Sequence, residues 1–312
     1  MSTLVIKPGY KGDLVAFLQE ALGLVADGVY GPKTKAAVLH FQRTNNLIAD
    51  GIVGPRTWAK MGINPQEFYA DTDTGTSASW IKQDHLPEGE YVYQFTTKKW
   101  IFLHHTAGRS NPFKTVSHWA NDNRGRIGTH YVIGGLASTL DAEADLTENQ
   151  TEHDGVVVQA IDDKYWGYHL GAVKSSAMHR QSLSIEICSA GILTKADDGT
   201  YRTWYNAKVH PSQVAVLDQP YRGSIYYHKY SDKQIESLKA LLLLLRDKHD
   251  IDLMSGVVAQ LHADPENPHR AFEYKEELSK GRIRGVLTHG QVRKDKSDVF
   301  PQKELIEMLL SL

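Results

Sequence analysis

Apolar residues recur along this chain with two different periods, and the change of period divides it. Over 13–22, Leu14, Phe17, Leu18 and Leu22 fall on one helical face. Over 34–45, Ala37, Val38 and Phe41 do the same, with Lys35 at the edge; spacing of three and four residues is the mark of an amphipathic helix. Asp27-Gly28-Val29-Tyr30-Gly31-Pro32-Lys33-Thr34 recurs as Asp50-Gly51-Ile52-Val53-Gly54-Pro55-Arg56-Thr57. Each copy pairs an Asp-Gly turn with a proline suited to the first turn of a helix. The first sixty-odd residues therefore predict a small three-helix domain.

Beyond a small, polar stretch at Asp71–Ser79 the texture changes. Residues 90–96, 99–103, 130–134, 155–161 and 182–189 read as strands, with a helix around 115–121. Ser231-Asp232-Lys233-Gln234 fits a capping box opening a helix to Lys248, whose Ile235, Leu238, Leu241, Leu242 and Leu245 form a core stripe. Strands alternating with helices predict an α/β domain, a mixed central sheet flanked by helices. Residues 195–230, rich in Tyr and Pro, are harder to assign and are expected to include long loops, and Asp162-Asp163-Lys164 reads as a solvated turn. The expected boundaries are a helical module over 1–66, a linker over 67–80 and an α/β domain over 81–312.

Composition narrows the partners. A net charge of −2 over 312 residues, with no Lys/Arg block, gives no electrostatic case for nucleic acid or an anionic membrane. The single cysteine, Cys188, excludes an internal disulfide framework and points to synthesis in a reducing compartment. Residues 1–9 lack the apolar core of a signal peptide, and the run Ala240–Leu245 is too short to span a bilayer. The expectation is a monomer made in the cytoplasm, without stable membrane association.

Candidate chemistry starts at Trp100-Ile101-Phe102-Leu103-His104-His105-Thr106-Ala107-Gly108, an apolar strand delivering His104 to its C-terminal end. Far downstream, His289 is followed nine residues later by Asp298, with Lys296 two before the carboxylate. Two imidazoles and a carboxylate leave a fourth tetrahedral position open, which distinguishes catalytic from structural zinc. Glu186 lies on a strand amid apolar neighbours, where a carboxylate is costly without a partner or a task. Tyr165-Trp166-Gly167-Tyr168-His169-Leu170-Gly171 places His169 in an aromatic loop, and His130 begins another strand.

Taken in order, IFLHHTAG, THYVIGG, HDGVVVQ, YWGYHLG, SLSIEICSAG and the late H…KxD resemble the type 2 N-acetylmuramoyl-L-alanine amidases. Those enzymes share a fold with peptidoglycan-recognition proteins and with phage lysins of the amidase kind. The resemblance spans 100–301; the two D-G-x-x-G-P-x-T copies, within 9–62, resemble a small peptidoglycan-binding module. It implies Zn2+ held by His104, His289 and Asp298, with Glu186 activating water and Lys296 steadying the oxyanion. His169 and His130 are carried as substrate contacts, with metal support as the alternative for His169 and a core role for His130. Some relatives use a tyrosine where Thr129 stands here, which adds weight to Glu186; Asp295 is the carboxylate competing with Asp298. The implied reaction is hydrolysis of the lactyl amide joining muramic acid to L-alanine in peptidoglycan, as in a phage endolysin. The alternatives are a non-catalytic recognition protein, which typically lacks a metal ligand, and a zinc peptidase cutting the stem peptide.

Overall fold

The computed structural model describes residues 5–63, 78–108, 110–123, 125–137 and 151–312. It divides into two compact units, Met1–Ser79 with Tyr93–Thr96, and Trp80–Val92 with Thr97–Leu312. Most of the expected linker, 67–77, lies outside the described residues.

The first unit holds helices α1 (Asp13–Ala21), α2 (Pro32–Thr44) and α3 (Pro55–Lys60). Leu14, Val15, Leu18, Tyr30, Val38 and Trp58 form its core. The repeat has a polar cause. Gln19 Nε2 donates to Asp27 Oδ1 (2.7 Å) and Thr34 Oγ1 (2.8 Å), while its Oε1 accepts from the Gly28 amide (2.9 Å). Gln42 repeats this with Asp50, Thr57 and Gly51. Gly28 and Gly51 take φ near +70°, left-handed backbone that glycine adopts without steric cost. Helix α2 consequently buries Thr34 and Gln42 beside Val38, while Ala37 and Phe41 of the expected stripe are half-buried, because a buried amide with all its partners in place is tolerated.

The second unit is built on a six-stranded sheet: β1 (Ile81–Gln83), β2 (Trp100–His105), β3 (Tyr131–Ile133), β4 (Val157–Gln159) and β5 (Ser182–Ile187), with a late strand at Gly285–Thr288. The order is β1, β4, β3, β5, β2 and the late strand, parallel throughout except for β3 against β4. Nearly every side chain of the inner strands is buried, as covering on both faces requires. The Asp232–His249 helix opens with the expected capping box, Ser231 with Gln234, and buries the expected leucine stripe.

Three readings are corrected here. Residues 90–96 form no strand: Val92 makes one bridge to Trp166, and Phe95 meets Phe17 edge-on at 5.4 Å in the first unit, so its apolar character serves that core. Residues 195–230 hold five strands or parts of them, joined by short turns. A three-stranded sheet, β6 (Thr194–Lys195), β7 (Tyr201–Arg202) and β8 (Lys208–Val209), precedes a hairpin of β9 (Val214–Tyr221) and β10 (Ser224–His228). Strands this short and half-exposed carry too little alternation to be read. Asp163 is buried, not solvated; it accepts from Tyr131 Oη (2.5 Å), Lys248 Nζ (2.9 Å) and His249 Nε2 (3.0 Å), tying the long helix to the sheet. The late strand is β11.

Candidate metal and catalytic site

The sheet order builds the site. β5, β2 and β11 are adjacent and parallel, so their C-terminal ends meet at one edge, where open α/β sheets place their ligands. Register sets His104 opposite Glu186 and Leu103 opposite Thr288, so His289 follows beside His104. His289 opens a one-turn helix that Thr288 and Gln291 cap reciprocally. The chain then loops back, and the Gly290 amide donates to the Asp298 carbonyl (2.7 Å), closing the loop that returns the carboxylate.

His104 Nδ1, His289 Nδ1 and Asp298 Oδ2 converge at 3.1, 3.2 and 2.9 Å, across 185 residues of sequence between the two imidazoles. All three residues are buried. Zinc with bonds of about 2.0–2.1 Å in a tetrahedron sets its ligands about 3.3 Å apart, so this donor set fits such an ion. The far ring nitrogens are also occupied: His289 Nε2 lies 3.2 Å from the Leu170 carbonyl, and His104 Nε2 3.0 Å from His169 Nδ1. His169 Nε2 in turn lies 2.7 Å from Ser182 Oγ, whose hydroxyl donates to the His179 carbonyl (3.3 Å). This chain has one consistent direction. A His104 that offers Nδ1 carries its proton on Nε2, gives it to His169 Nδ1, and His169 gives its own to Ser182.

Protonation favours the same state. Burial pushes His104 down to about 4 against the pull of Asp298, and pushes His169 well below the ordinary range, so both rings are neutral at pH 7. Burial alone would raise Asp298, but the His289 and His104 rings beside it hold it well below the usual carboxylate range. Glu186 moves the other way: burial, then the Asp298 charge, lifts it well above that range, and Lys296 only partly offsets them. Their surroundings thus push the two carboxyls in opposite directions, a separation typical of paired roles.

Among the expected site residues, His104, His289 and Asp298 come together, with Glu186 and Lys296 close enough to perturb them. Asp295 is turned away, in an ion pair with Arg293 (2.6 Å). His169 stands behind His104 with both nitrogens engaged, so it supports a ring and has no nitrogen left for substrate. His130 is corrected outright: it is fully buried, with Nδ1 at Ser184 Oγ (2.9 Å) and Nε2 at the Tyr165 carbonyl (3.0 Å), which leaves no edge of the ring for a ligand.

The sequence reading missed what braces the late loop. Arg222, between β9 and β10, donates to the carbonyls of Gly290 (2.9 Å) and Lys294 (3.0 Å). Tyr221 Oη would lie 2.5 Å from a Cβ at position 290, so glycine is required for the hairpin to approach. The Tyr221-Arg222-Gly223 run was the available signal, a polar turn within an unassigned region.

Comparison with known proteins follows the same division. Residues 94–296, more than half of the chain, match the family model described as N-acetylmuramoyl-L-alanine amidase, and residues 11–61 match a putative peptidoglycan binding domain. No curated protein matches the chain. Among solved structures, a peptidoglycan-binding protein from Clostridioides difficile is 42% identical over 19% of this chain and 40% of its own length, with a TM-score of 0.18. A mutant endolysin from Bacillus subtilis is 14% identical, covering 69% of this chain and 87% of that one (TM-score 0.34). The N-acetylmuramoyl-L-alanine amidase LysC from Clostridium intestinale is 13% identical, covering 74% and 95% (TM-score 0.35).

Proposed function

This chain belongs to the N-acetylmuramoyl-L-alanine amidase family, and on that premise we propose that it is a zinc-dependent hydrolase of the lactyl amide between muramic acid and L-alanine. The observation that carries the zinc reading is the buried convergence of His104, His289 and Asp298. A zinc ion held by these three would supply Lewis acidity toward the scissile carbonyl and its attacking water. Glu186, raised by its burial, is the group that takes the proton of that water and passes it to the leaving amine. The Lys296 ammonium, two residues before Asp298, meets the negative charge that develops on the carbonyl oxygen. His169 and Ser182 orient the His104 imidazole, and its burial keeps it neutral.

In this proposal residues 1–66 hold the chain to the wall, 67–80 link, and 81–312 hydrolyse. The protein acts as a monomer on peptidoglycan, without nucleic acid or stable membrane association, and no helix among the described residues is long and apolar enough to cross a membrane. Accumulation in a host cytoplasm until a membrane lesion gives access to the wall, as for a phage endolysin, suits a chain with one buried free cysteine.

The test is digestion of purified peptidoglycan with the full chain, the chelated chain and the chelated chain resupplied with zinc. Mass analysis should find intact stem peptides with free L-alanine amines, lost on chelation and restored by zinc. Cleavage within the stem would assign a peptidase instead, and release that survives chelation would remove the metal.

A further inference from the structure

One feature beside the site has no part in this chemistry: the tip of the β7–β8 hairpin. Its turn is tightly made, with Thr203 and Ala207 exchanging hydrogen bonds (Thr203 N to Ala207 O, 2.9 Å; Ala207 N to Thr203 Oγ1, 3.0 Å) and Asn206 at φ 64°. At that tip Trp204 is 73% exposed, more than any other large apolar side chain described in the second unit. Leaving an indole in water forfeits a large burial gain, and a loose turn would fold it away. Here it is held out. Its Nε1–H donates to the Ala107 carbonyl at 2.6 Å, and the Tyr205 ring stands against it at 5.2 Å and 88°.

The anchor is informative. Ala107 lies three residues past His104, in the loop at the C-terminal end of β2, and that loop is itself fastened: Thr106 N donates to the Ile187 carbonyl (3.1 Å) and Gly108 N to the Ser189 carbonyl (3.0 Å). Three residues of chain reach at most about 10 Å, so the indole edge is fixed within that order of distance from the backbone of His104. An oriented aromatic face, fastened at its edge and open to water beside a hydrolytic site, suits a flat partner with C–H bonds on its face. A pyranose ring has that shape, apolar on its face and polar at its rim, whereas the carboxylates of a stem peptide meet the negative face of the indole, and a stem ammonium stacked there would register on a sugarless substrate as well.

We propose that Trp204 is a sugar-stacking platform that seats the glycan of the substrate beside the scissile amide. This rests on the amidase reading above and adds the residue that recognises the sugar. A stack made equally in the ground and transition states is uniform binding, which lowers KM with little change in kcat.

The experiment compares the full chain with Trp204→Ala and Trp204→Phe on two substrates: a soluble glycan-bearing muropeptide, and a lactyl-peptide amide of the same stem without sugar. Trp204→Ala should raise KM for the glycan-bearing substrate by about 10–30-fold, the size of an aromatic hot spot. It should keep kcat and leave the sugarless substrate unchanged, with Trp204→Phe between the two. Equal losses on both substrates would make Trp204 a brace for the Ala107 loop and overturn the proposal, as would no loss on either. A second readout does not depend on turnover. In the Glu186→Gln chain, the Trp204 indole 15N–1H resonance, identified by its absence from the Trp204→Ala spectrum, should shift with the muropeptide and stay fixed with the sugarless amide. A resonance indifferent to the muropeptide overturns the platform even if hydrolysis proceeds. A shift in Glu186→Gln combined with an unsubstituted chain that cleaves neither substrate would keep the platform and remove the amidase reading.

Discussion

Replacing His169 by leucine tests the directed chain behind the proposed metal-ligating group. In the structure His104 Nε2 has His169 Nδ1 as its partner at 3.0 Å, and both residues are buried. Leucine leaves that N–H buried without an acceptor, a penalty of about 1–3 kcal/mol. With no acceptor at Nε2, the ring gains by carrying its proton on Nδ1, where Asp298 accepts it. Since 1.4 kcal/mol is tenfold, zinc affinity should fall by about 10–100-fold, the range seen when such outer partners are removed. His169→Gln, whose side-chain oxygen can accept and whose amide can donate to Ser182, should recover most of the loss. The assay is titration of the metal-free chain with zinc against a competing chelator, with circular dichroism to confirm that each variant is folded. Wild-type affinity in folded His169→Leu would refute the argument, as would identical losses for leucine and glutamine.

Two further outcomes follow from the same geometry. Glu186→Gln should retain zinc at wild-type affinity and lose turnover by about 10²–10⁴-fold; a variant that turns over normally would strip Glu186 of its role. Asp163 is held well below the carboxylate range, its burial outweighed by His249, Lys248 and Tyr131. A depressed folded value means that this contribution is whole above the unfolded value of about 4 and is lost as pH falls through the folded one. Asp163→Asn, which also leaves Gln159 and the nearby His130 without that charge, should cost about 2–4 kcal/mol at neutral pH, allowing for a half-exposed Lys248. Its stability should then decline less steeply below about pH 4 than the wild type's; parallel acid-unfolding curves would contradict this.

The sequence showed most where burial is strongest. β2 and β5 are legible because both faces are covered and their residues are apolar almost without break. The Asp232–His249 helix is legible because its cap and its stripe agree. Residues 194–228 were not, since short strands with mixed exposure spread their information over cross-strand partners that a linear reading cannot see. The histidines show the same limit. His104 and His289 could be singled out by motif, but nothing local distinguishes His130, whose nitrogens are consumed by Ser184 and Tyr165, from His169, whose nitrogens serve His104 and Ser182. Buried polar partners account for the remaining misses: Gln42 and Asp163 look solvent-facing as letters and are interior as contacts.

The place of β11 in the sheet has a consequence for the life of the molecule. Among the described strands of the sheet it pairs with β2 alone, and it delivers His289, 185 residues after His104. A half-synthesised chain, or one clipped in the loops before Gly285, would own His104 and Glu186 but neither of their distant companions. Under the proposed ligand set such fragments hold one of the three donors. The complete set exists only once β11 has joined β2 in the sheet.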